Sequence, residues 1–537
     1  MNDNSIRLAS RLAGIAIVAT LGACKQPPGA FAPATEQQQA LTNGSTTSVA
    51  LTKSALDRIE KIDRAGPMLN SVLATNPDAL DEARKLDEER KSGRVRGPLH
   101  GVGIILKDNI EADGPLPTTA GSLALAQNVT HRDAPLVRRL REAGAVIVGK
   151  ANLSEWANYR STRSISGWSA AGGLTRNPYA LDRSACGSSS GTAVAVAAGI
   201  VAVGIGTETD GSITCPASMN GVVGLKPTLG LVSRHHIVPL SPEQDTAGPI
   251  ARTVTDAAAV LSVIAGSDPD DIATRDADAH ETDYVAVLKP DALAGAHIGV
   301  LRGAVSPSPR TDPVFEQALG ALRAAGAILV DVQVPGGDAQ KAQLSQAKSD
   351  AFHTEFRVAI DTYLASTPPS VKARTLQDLI EFNARTPAET ALFGQEIFEA
   401  SATSPDITDP AYLAQRALAQ RLAGPEGLDR MMQTAQVEAI VAQTAAPASV
   451  VDPVNGSSFF GSPSTLPAAA GYPHLTVPMG HVNGLPVGLS FIGPRWSDAR
   501  ILSLGYAFEQ RTHAWREPAF PPSISVRAEI ANAYKHP

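Results

Sequence analysis

The sequence predicts an α/β fold, in which one large domain contains a mixed, mostly buried central sheet covered by helices on both faces. Three observations predict it. The chain has 537 residues, of which 43% are hydrophobic, so it is long enough to bury a sizeable core. From residue 50 onward, short apolar runs alternate with segments of helical periodicity, which is typical of a sheet covered by helices. Neither a linker-like break nor an internal repeat interrupts residues 50–520, so a single domain is the simplest organisation.

In the first half of the domain, helices are indicated by apolar spacing and by glycines at their ends. Ile59 and Ile62 lie on one face of a helix, and Gly93 and Gly144 are suited to end the helices that precede them. The predicted helices are residues 54–63, 78–92, 134–143, 153–159 and 190–199, and the predicted strands are residues 102–106, 145–148 and 200–205.

The same alternation continues in the second half. Residues 340–430 depart from it because they are more helical and more polar, and they predict a flap or subdomain. The predicted helices outside that segment are residues 255–265, 313–325 and 499–511, and the predicted strands are residues 298–301, 328–334, 439–442, 475–478 and 487–492.

The first 24 residues have the composition of a targeting segment. Arg7 and Arg11 form a positively charged region before an apolar run at residues 12–19, which is too short to span a bilayer. The sequence Leu-Gly-Ala-Cys at 21–24 then resembles a bacterial lipobox, in which the cysteine is acylated and becomes the new amino terminus. An ordinary signal peptide that happens to contain Cys24 is the alternative. The sequence therefore predicts an exported protein, anchored to a bacterial cell membrane by a lipid on Cys24 and facing the periplasm.

These features divide the chain into three parts. Residues 1–23 are predicted to be a lipoprotein signal peptide. Residues 24–49, rich in Pro, Gln, Ala, Thr and Ser, are predicted to be a flexible tether, and residues 50–527 the globular domain. No later stretch is a transmembrane candidate, so membrane contact is expected through the lipid anchor alone.

Charge and metal-ligand patterns exclude several classes of partner. The formal net charge is −7, with 46 basic and 53 acidic residues, and no basic stretch indicates a nucleic-acid partner. The 11 histidines show no metal-ligand spacing, so no metal site is predicted. Cys186 and Cys215 are the two cysteines after Cys24. Their spacing does not decide whether they pair, and two buried free thiols are favoured.

Two loops of small residues form the densest Gly/Ser region of the chain. The first, residues 186–191, opens a predicted helix, where backbone N–H groups are free and the helix dipole is positive. The second, residues 206–212, follows a predicted strand, and its glycines allow close approach of the backbone to a ligand. Such loops can present a serine hydroxyl beside N–H donors, as acyl transfer requires.

A serine nucleophile also needs a base, and Lys107 is the candidate. It follows the apolar strand 102–106, where burial would lower its pKa and leave the amine neutral near pH 7. The alternative is a structural lysine that pairs with Asp108 or another acid. These residues alone leave both roles open.

These segments resemble the amidase signature family of serine hydrolases, motif by motif. Lys107 in Ile-Leu-Lys-Asp matches the family's catalytic lysine, Ser188 in Gly-Ser-Ser-Ser-Gly its cis-peptide serine, and Ser212 in Asp-Gly-Ser-Ile its nucleophile. The resemblance covers residues 50–515, and within the family the chain is most similar to bacterial peptide amidases. Supporting matches lie at residues 119–122, 149–156 and 224–228, and the likeness to peptide amidases lies at residues 154–158 and 164–169.

The resemblance implies hydrolysis of a carboxamide through an acyl-enzyme, with release of ammonia. Ser212 attacks the carbonyl, and Ser188 relays its proton to neutral Lys107. Neither a metal nor an organic cofactor is required, the partner is a small amide or peptide amide, and a monomer is expected. The implied oxyanion donors are the backbone N–H groups of Thr209, Asp210, Gly211 and Ser212, and the candidate substrate-pocket residues are Gly121, Ser122, Trp156 and Trp168.

Two departures from the family pattern bear on the substrate. Many relatives have glycine where this chain has Asp210, and many have an arginine where it has Thr214 or Cys215. Because such an arginine can hold a substrate carboxylate, its absence beside Asp210 favours a substrate with a neutral end. The likeness to peptide amidases implies the C-terminal amide of a peptide as the substrate, and other neutral acyl or aryl amides are the alternative.

Three other interpretations have less support. The G-x-S-x-G pattern at 187–191 would make Ser189 the nucleophile, but that motif follows a strand and the preceding residues indicate a loop. Residues 345–348 fit S-x-x-K without the companion motifs, which indicates coincidence. A non-catalytic binding or amidotransferase-type subunit is the third, and both the export signal and the complete set of three candidate residues argue against it.

Overall fold

Within residues 27–534, the central sheet contains eleven strands of mixed orientation. The computed structural model describes residues 27–534, so the predicted signal peptide (1–23) and lipidation site Cys24 lie outside the described residues. Parallel pairs toward both ends of the sheet flank a run of antiparallel strands, which confirms the prediction of one α/β domain with a mixed sheet. The strands are β1 (Val72–Thr75), β2 (Gly103–Lys107), β3 (Val146–Ala151), β4 (Trp168–Ser169), β5 (Gly173–Leu174), β6 (Val203–Glu208), β7 (Val223–Lys226), β8 (Thr246–Ala251), β9 (His297–Leu301), β10 (Ile328–Val332), β11 (Ala439–Gln443), β12 (His474–Val482) and β13 (Leu485–Ile492).

In space the strands follow the order β1-β3-β2-β6-β8-β7-β12-β13-β11-β9-β10, and β4 and β5 form a separate two-stranded sheet. Helices cover both faces of the large sheet. They are α1 (Ala34–Thr42), α2 (Ser48–Arg58), α3 (Ala79–Lys91), α4 (Pro135–Glu142), α5 (Ser190–Ala197), α6 (Thr214–Met219), α7 (Val254–Ile264), α8 (Asp312–Ala324), α9 (Gly337–Ala365), α10 (Leu376–Arg385), α11 (Glu396–Ala402), α12 (Pro410–Ala423), α13 (Arg430–Ala435), α14 (Thr465–Ala470), α15 (Asp498–Thr512) and α16 (Ala528–Ala533).

Strand alternation places two hydrophobic cores on opposite faces of the sheet. In β2, Ile104 and Leu106 belong to the core that also contains residues of α4, α7, α8 and α15. Ile105 belongs to the opposite core, with residues of α2, α5 and α6. Successive side chains of a strand point to opposite faces of the sheet, so a strand that is buried throughout contributes side chains to the cores on both faces.

Residues 34–49 are part of the folded domain, so the prediction of a flexible tether is wrong for this segment. Helix α1 buries Ala34 and Leu41 in the core that includes Ile104. The backbone N–H groups of Ala34 and Thr35 each donate to the Asp256 carboxylate at 3.0 Å. The Ala- and Gln-rich composition of this segment is compatible with a helix as well as with a tether, and burial of its apolar side chains decided between them.

The segment predicted as a helix at residues 153–159 is instead an irregular turn. It contains a short 3₁₀ element at Glu155–Asn158, inside which Trp156 and Ala157 have φ of 47° and 54°. The Trp156 N–H donates to the Ala120 carbonyl at 2.9 Å, which pairs this segment with a distant loop. A left-handed backbone is unfavourable for residues other than glycine, so tertiary contacts overrode the local preference here.

The polar, helical segment predicted at residues 340–430 is built of helices α9 to α12, with α13 following. Helix α9 packs along α12. Across residues 27–534, the structure contains no helix of sufficient length and hydrophobicity to cross a membrane.

Candidate active site

Two parallel neighbours of the sheet, β2 and β6, end at the same edge and bring the candidate residues together. Lys107 is the last residue of β2, and the loop 209–212 follows β6 directly. Ligand sites in α/β sheets lie outside the carboxyl ends of the strands. Because side chains alternate, Lys107 points to the same face as Ile105, where α5 packs. Ser188 lies two residues before α5.

The side chain of Lys107 is fully buried and makes three polar contacts. Its Nζ lies 2.7 Å from Ser188 Oγ, 2.8 Å from Thr207 Oγ1 and 3.1 Å from the Thr207 carbonyl oxygen. Asp108, the alternative partner, instead accepts a hydrogen bond from Lys150 Nζ at 3.2 Å. Lys107 therefore contacts the serine that the motifs indicate and not the adjacent acid.

Burial sets the protonation state of Lys107. Removal of its ammonium group from water lowers the pKa from 10.5 to about 7, although the buried carboxylates of Asp245 and Glu208 oppose this shift. In the neutral form, the amine has two protons, and it can donate one to each of the two oxygen atoms of Thr207. The remaining lone pair is then available to the Ser188 hydroxyl. In this geometry, the Lys107 amine can accept a proton from Ser188 near neutral pH.

Backbone hydrogen bonds hold the loop of Ser188 in place. The peptide bond between Gly187 and Ser188 is cis. The Ser188 carbonyl accepts a hydrogen bond from the Ser154 N–H at 3.0 Å, and the Ser189 N–H donates to the Ser212 carbonyl at 3.1 Å. The second of these bonds joins the two Gly/Ser loops directly.

Ser189 is tied to the backbone by its side chain. Its Oγ donates to the Thr207 carbonyl at 3.0 Å, and the side chain is fully buried. Residues 177–185, which precede its loop, form turns and isolated bridges and no strand. Neither property fits the exposed nucleophile of a G-x-S-x-G elbow.

A buried carboxylate shapes the chain that follows β6. Glu208 Oε2 accepts hydrogen bonds from the Ile213 N–H at 2.8 Å and the Thr214 N–H at 3.0 Å. Gly211 adopts a φ of 85°, a conformation that favours glycine. The Glu208 carboxylate thus holds the backbone of residues 213–214 by hydrogen bonds and stabilises the turn that contains Ser212.

The predicted oxyanion donors lie in this turn. Within residues 27–534, the backbone N–H groups of Asp210 and Ser212 have no hydrogen-bond acceptor. Burial raises the pKa of the Glu208 carboxyl, and the Gly211 N–H, which is directed at this carboxyl, partly opposes the rise. The Ser212 residue is 8% exposed. A negatively charged oxygen beside Ser212 would find N–H donors in place.

A disulfide bond joins the two Gly/Ser loops. Cys186 and Cys215 are bonded, with their Cα atoms 6.0 Å apart. The expectation of two free thiols is therefore wrong. Cys186 precedes Ser188 by two residues and Cys215 follows Ser212 by three, so the packing of the two loops against each other brings the cysteines within reach. Their spacing in the sequence carries no information about that packing.

A cavity of about 620 Å³ lies beside this cluster. Its size is typical of pockets for small organic ligands. Asn109, Thr207 and Thr209 line it, and Thr207 is the residue that contacts Lys107. The cavity therefore approaches the buried lysine from the side of β6.

Of the four residues predicted to line a substrate pocket, Trp156 alone lines this cavity. Gly121 has a φ of 81° and lies against Ser169. Ser122 caps the short 3₁₀ turn that follows it, and Trp168 packs in a separate hydrophobic cluster. These three positions are close to the site motifs in sequence, but the outer cavity wall comes from elsewhere in the chain.

That outer wall is formed by helices α9 and α12. Side chains that are three or four positions apart share one face of a helix, and such a face of α9 borders the cavity. The wall consists of Glu355, Val358, Ala359, Thr362 and Tyr363 from α9, Ser366 directly after α9, and Tyr412 and Arg416 from α12.

Every arginine that lines the cavity is paired with a carboxylate. A guanidinium that is already neutralised is a weak anchor for a substrate carboxylate. Burial and the nearby Arg132 lower the pKa of His236, another lining residue, to about 4, so it is uncharged at neutral pH. The ion pairs are Arg132 with Glu111, Arg234 with Asp271, and Arg416 with Glu243.

Sequence reasoning missed three residues that surround Lys107. Thr207 lies inside the loop 206–212 and Asn109 directly follows the Ile-Leu-Lys-Asp motif, but nothing in these segments shows that Asn109 Nδ2 donates to Thr207 Oγ1 at 3.0 Å. Asp245 accepts a hydrogen bond from Thr209 Oγ1 at 2.5 Å, and 36 residues separate the two. A local pattern could have marked the first two residues, whereas no local signal marks Asp245.

Comparison with known proteins points to one family. Residues 50–502 match the family model described as Amidase. A probable amidase of Arabidopsis thaliana is 37% identical over 470 residues, covering 86% of this chain and 87% of that protein. A glutamyl-tRNA(Gln) amidotransferase subunit of Chloroflexus aurantiacus is 36% identical over 500 residues, covering 89% of this chain and 96% of that protein. The crystal structure of the native peptide amidase of Stenotrophomonas maltophilia is 49% identical with a TM-score of 0.85, covering 91% of this chain and 98% of that one.

Proposed function

The chain belongs to the amidase signature family and is an amide-hydrolysing enzyme, and from this premise we propose that it hydrolyses the C-terminal carboxamide of peptides and releases ammonia. The observation that carries the proposal is the 2.7 Å contact between Ser188 Oγ and the Nζ of Lys107, whose pKa is lowered to about 7. A lysine that is neutral near pH 7 can act as a base. Its serine partner lies in a loop bonded to that of Ser212.

The proposed acylation step moves one proton through two serines. Ser212 Oγ attacks the amide carbonyl carbon while its proton passes through the Ser188 hydroxyl to the Lys107 amine. The carbonyl oxygen becomes an anion, which the backbone N–H groups of Asp210 and Ser212 stabilise. The proton then returns through Ser188 to the amide nitrogen, the C–N bond breaks, and ammonia leaves the acyl group on Ser212.

Water completes the turnover by the same route. A water molecule gives its proton through Ser188 to Lys107 and attacks the ester carbonyl of the acyl-enzyme. The proton returns to Ser212 Oγ as the carboxylic acid leaves. Amide plus water thus gives acid plus ammonia, and Lys107 ends in the neutral state in which it began.

The charges around the cavity support a substrate with a neutral end. All three lining arginines are engaged by acids, and Asp245 adds a buried carboxylate beside Thr209. A substrate carboxylate placed there would find these arginines already neutralised. The cavity volume of about 620 Å³ suits a short peptide. The 49% identity to a peptide amidase further supports this substrate class.

The mature protein is expected to release ammonia from a neutral dipeptide amide. The matching free dipeptide should react at least about 100-fold more slowly, because the arginines beside the cavity are already neutralised by acids. An aryl anilide of the same acyl group is the second comparison. A coupled ammonia assay, with chromatography of the organic products, measures all three. Turnover of the anilide without turnover of the peptide amide would replace this proposal by a general acylamidase.

We further propose that the protein is exported and anchored through a lipid on Cys24. The lipobox-like residues 21–24 support this, and so does the disulfide between Cys186 and Cys215, because disulfides persist in oxidising compartments. In bacterial cells that make the full chain, we expect the wild type in the membrane fraction and Cys24→Ala in the soluble fraction. Recovery of the wild type as a soluble protein with residues 1–23 intact would contradict both export and anchoring.

A further inference from the structure

Three donors enclose the carboxylate of Asp210, two residues before Ser212. Ser464 Oγ donates to Asp210 Oδ1 at 2.6 Å, and Thr465 Oγ1 donates to Oδ2 at 2.9 Å. Lys348 Nζ forms an ion pair with the same Oδ2. The Asp210 and Lys348 side chains are 17% and 18% exposed, so the pair is largely withdrawn from solvent. Asp210 is therefore not the free negative charge that its departure from glycine suggested.

Asp210 is ionised in this environment. Burial by itself would raise the pKa of its carboxyl, but Lys348 and the two hydroxyl donors outweigh burial and hold the pKa below its usual value. An ionised carboxylate that is withdrawn from water needs a partner of opposite charge. Lys348 is that partner.

This compensation matters at the position where the proposed chemistry takes place. The backbone N–H groups of Asp210 and Ser212 would stabilise negative charge that develops on the substrate oxygen. An unpaired carboxylate in the same turn would repel that charge, and the repulsion is stronger where water is excluded. The ion pair with Lys348 cancels this repulsion and draws the Asp210 side chain toward α9.

Lys348 reaches the turn from a distant element. It lies on α9, the helix whose later turns line the cavity. Its Nζ is 5.5 Å from the centre of the Phe352 ring, a cation–π contact that also restrains the side chain. The ion pair spans 138 residues and thereby connects the cavity wall to the turn that carries Ser212.

We propose that Lys348 is a positioning residue for amide hydrolysis, which neutralises Asp210 and holds the turn of Ser212 against the helix that lines the cavity. The inference rests on the proposed role of Ser212. Lys348 does not contact the reacting atoms and acts through Asp210. The S-x-x-K pattern at 345–348 is thus a coincidence as a motif, although its lysine belongs to the site.

The test compares variants of the two partners with a dipeptide amide as substrate. Lys348→Met keeps most of the aliphatic stem and removes the charge, and we expect kcat to fall about 10- to 100-fold, approaching the loss of one oxyanion donor. KM should change less than about three-fold, because the ion pair affects the transition state more than substrate binding. Lys348→Arg keeps the charge and should retain kcat within about five-fold.

Asp210→Gly introduces the residue that many relatives have at this position and removes the need for Lys348. In the Asp210→Gly background, Lys348→Met should therefore change kcat less than about three-fold, and the double variant should be faster than Lys348→Met alone. Lys341→Met is the matched control, since Lys341 lies on the same helix in an exposed ion pair with Asp338, whose side chains are 50% and 98% exposed. It should leave kcat and Tm unchanged.

The possible results separate the two proposals. The inference is wrong if Lys348→Met keeps the wild-type kcat, or if the double variant is no faster than Lys348→Met. If Lys348→Met does not fold, as its Tm would show, kcat of Asp210→Gly is compared with kcat of the double variant. A difference of more than about three-fold would then overturn the inference. An inactive wild type, or an active Ser212→Ala, would instead overturn the proposed function and this inference with it.

Discussion

Ser212→Ala is expected to lower kcat for peptide-amide hydrolysis by a factor of about 10⁴ to 10⁶, the range found when a nucleophile is removed from a serine hydrolase. Without Ser212 Oγ no acyl-enzyme can form, and the remaining N–H donors can only polarise a bound amide. KM should stay close to the wild-type value because the substitution removes one oxygen from a residue that is 8% exposed. Ammonia release under saturating substrate measures kcat, and Tm reports whether the fold is intact.

Ser189→Ala is the matched control for this loss. Ser189 belongs to the same loop as Ser188, and its hydroxyl donates to the Thr207 carbonyl. The same hydroxyl accepts a hydrogen bond from the Thr207 N–H at 3.2 Å. Loss of these two hydrogen bonds should cost about 2 kcal/mol, or about thirtyfold at most in rate. Activity of Ser212→Ala above about 1% of the wild type would contradict the assignment. Inactivity of Ser189→Ala with an active Ser212→Ala would identify the other serine as the nucleophile.

Lys107→Met should lower kcat/KM by a factor of about 10² to 10⁴, the usual contribution of a general base. The wild-type rate should depend on pH in a definite direction. Below pH 7 Lys107 is protonated and cannot accept a proton, so kcat/KM should fall about tenfold per pH unit as the pH drops below its pKa of about 7. Above that pKa the rate should be level. The acid limb should be absent from the residual activity of Lys107→Met.

Lys107→Arg distinguishes a base from a hydrogen-bond donor. A guanidinium keeps donors near Thr207 and Ser188, but it does not lose its proton in proteins. We therefore expect this variant to be as inactive as Lys107→Met at every pH. An active arginine variant, or a wild-type profile that is flat between pH 5 and pH 8, would show that proton acceptance by Lys107 is not part of the mechanism.

Local pattern determined much of this site. The apolar run at 102–106 predicted the strand observed at Gly103–Lys107, and the two-residue period of a strand then places Lys107 on the same face as Ile105. The Gly/Ser loop at 186–191 could also be predicted, because small residues and the free N–H groups at the start of a helix are features of a short stretch of sequence. The resemblance to the amidase signature family added which lysine and which serines belong together, and the structure places Lys107 Nζ 2.7 Å from Ser188 Oγ.

Contacts between distant segments were decided by tertiary structure alone. The ion pair of Lys348 with Asp210 and the disulfide of Cys186 with Cys215 both depend on how separate elements pack. The helix at Ala34–Thr42 has the composition of a linker and becomes a helix because the domain buries one of its faces. The spacing of residues within a segment specifies which face of its own element a side chain occupies, but not which distant residue meets that face. Local pattern therefore predicted eight of the eleven sheet strands observed within residues 27–534 and missed β1, β7 and β8, and the family resemblance indicated the candidate catalytic residues. Packing decided the cavity wall, the disulfide and the charge that compensates Asp210.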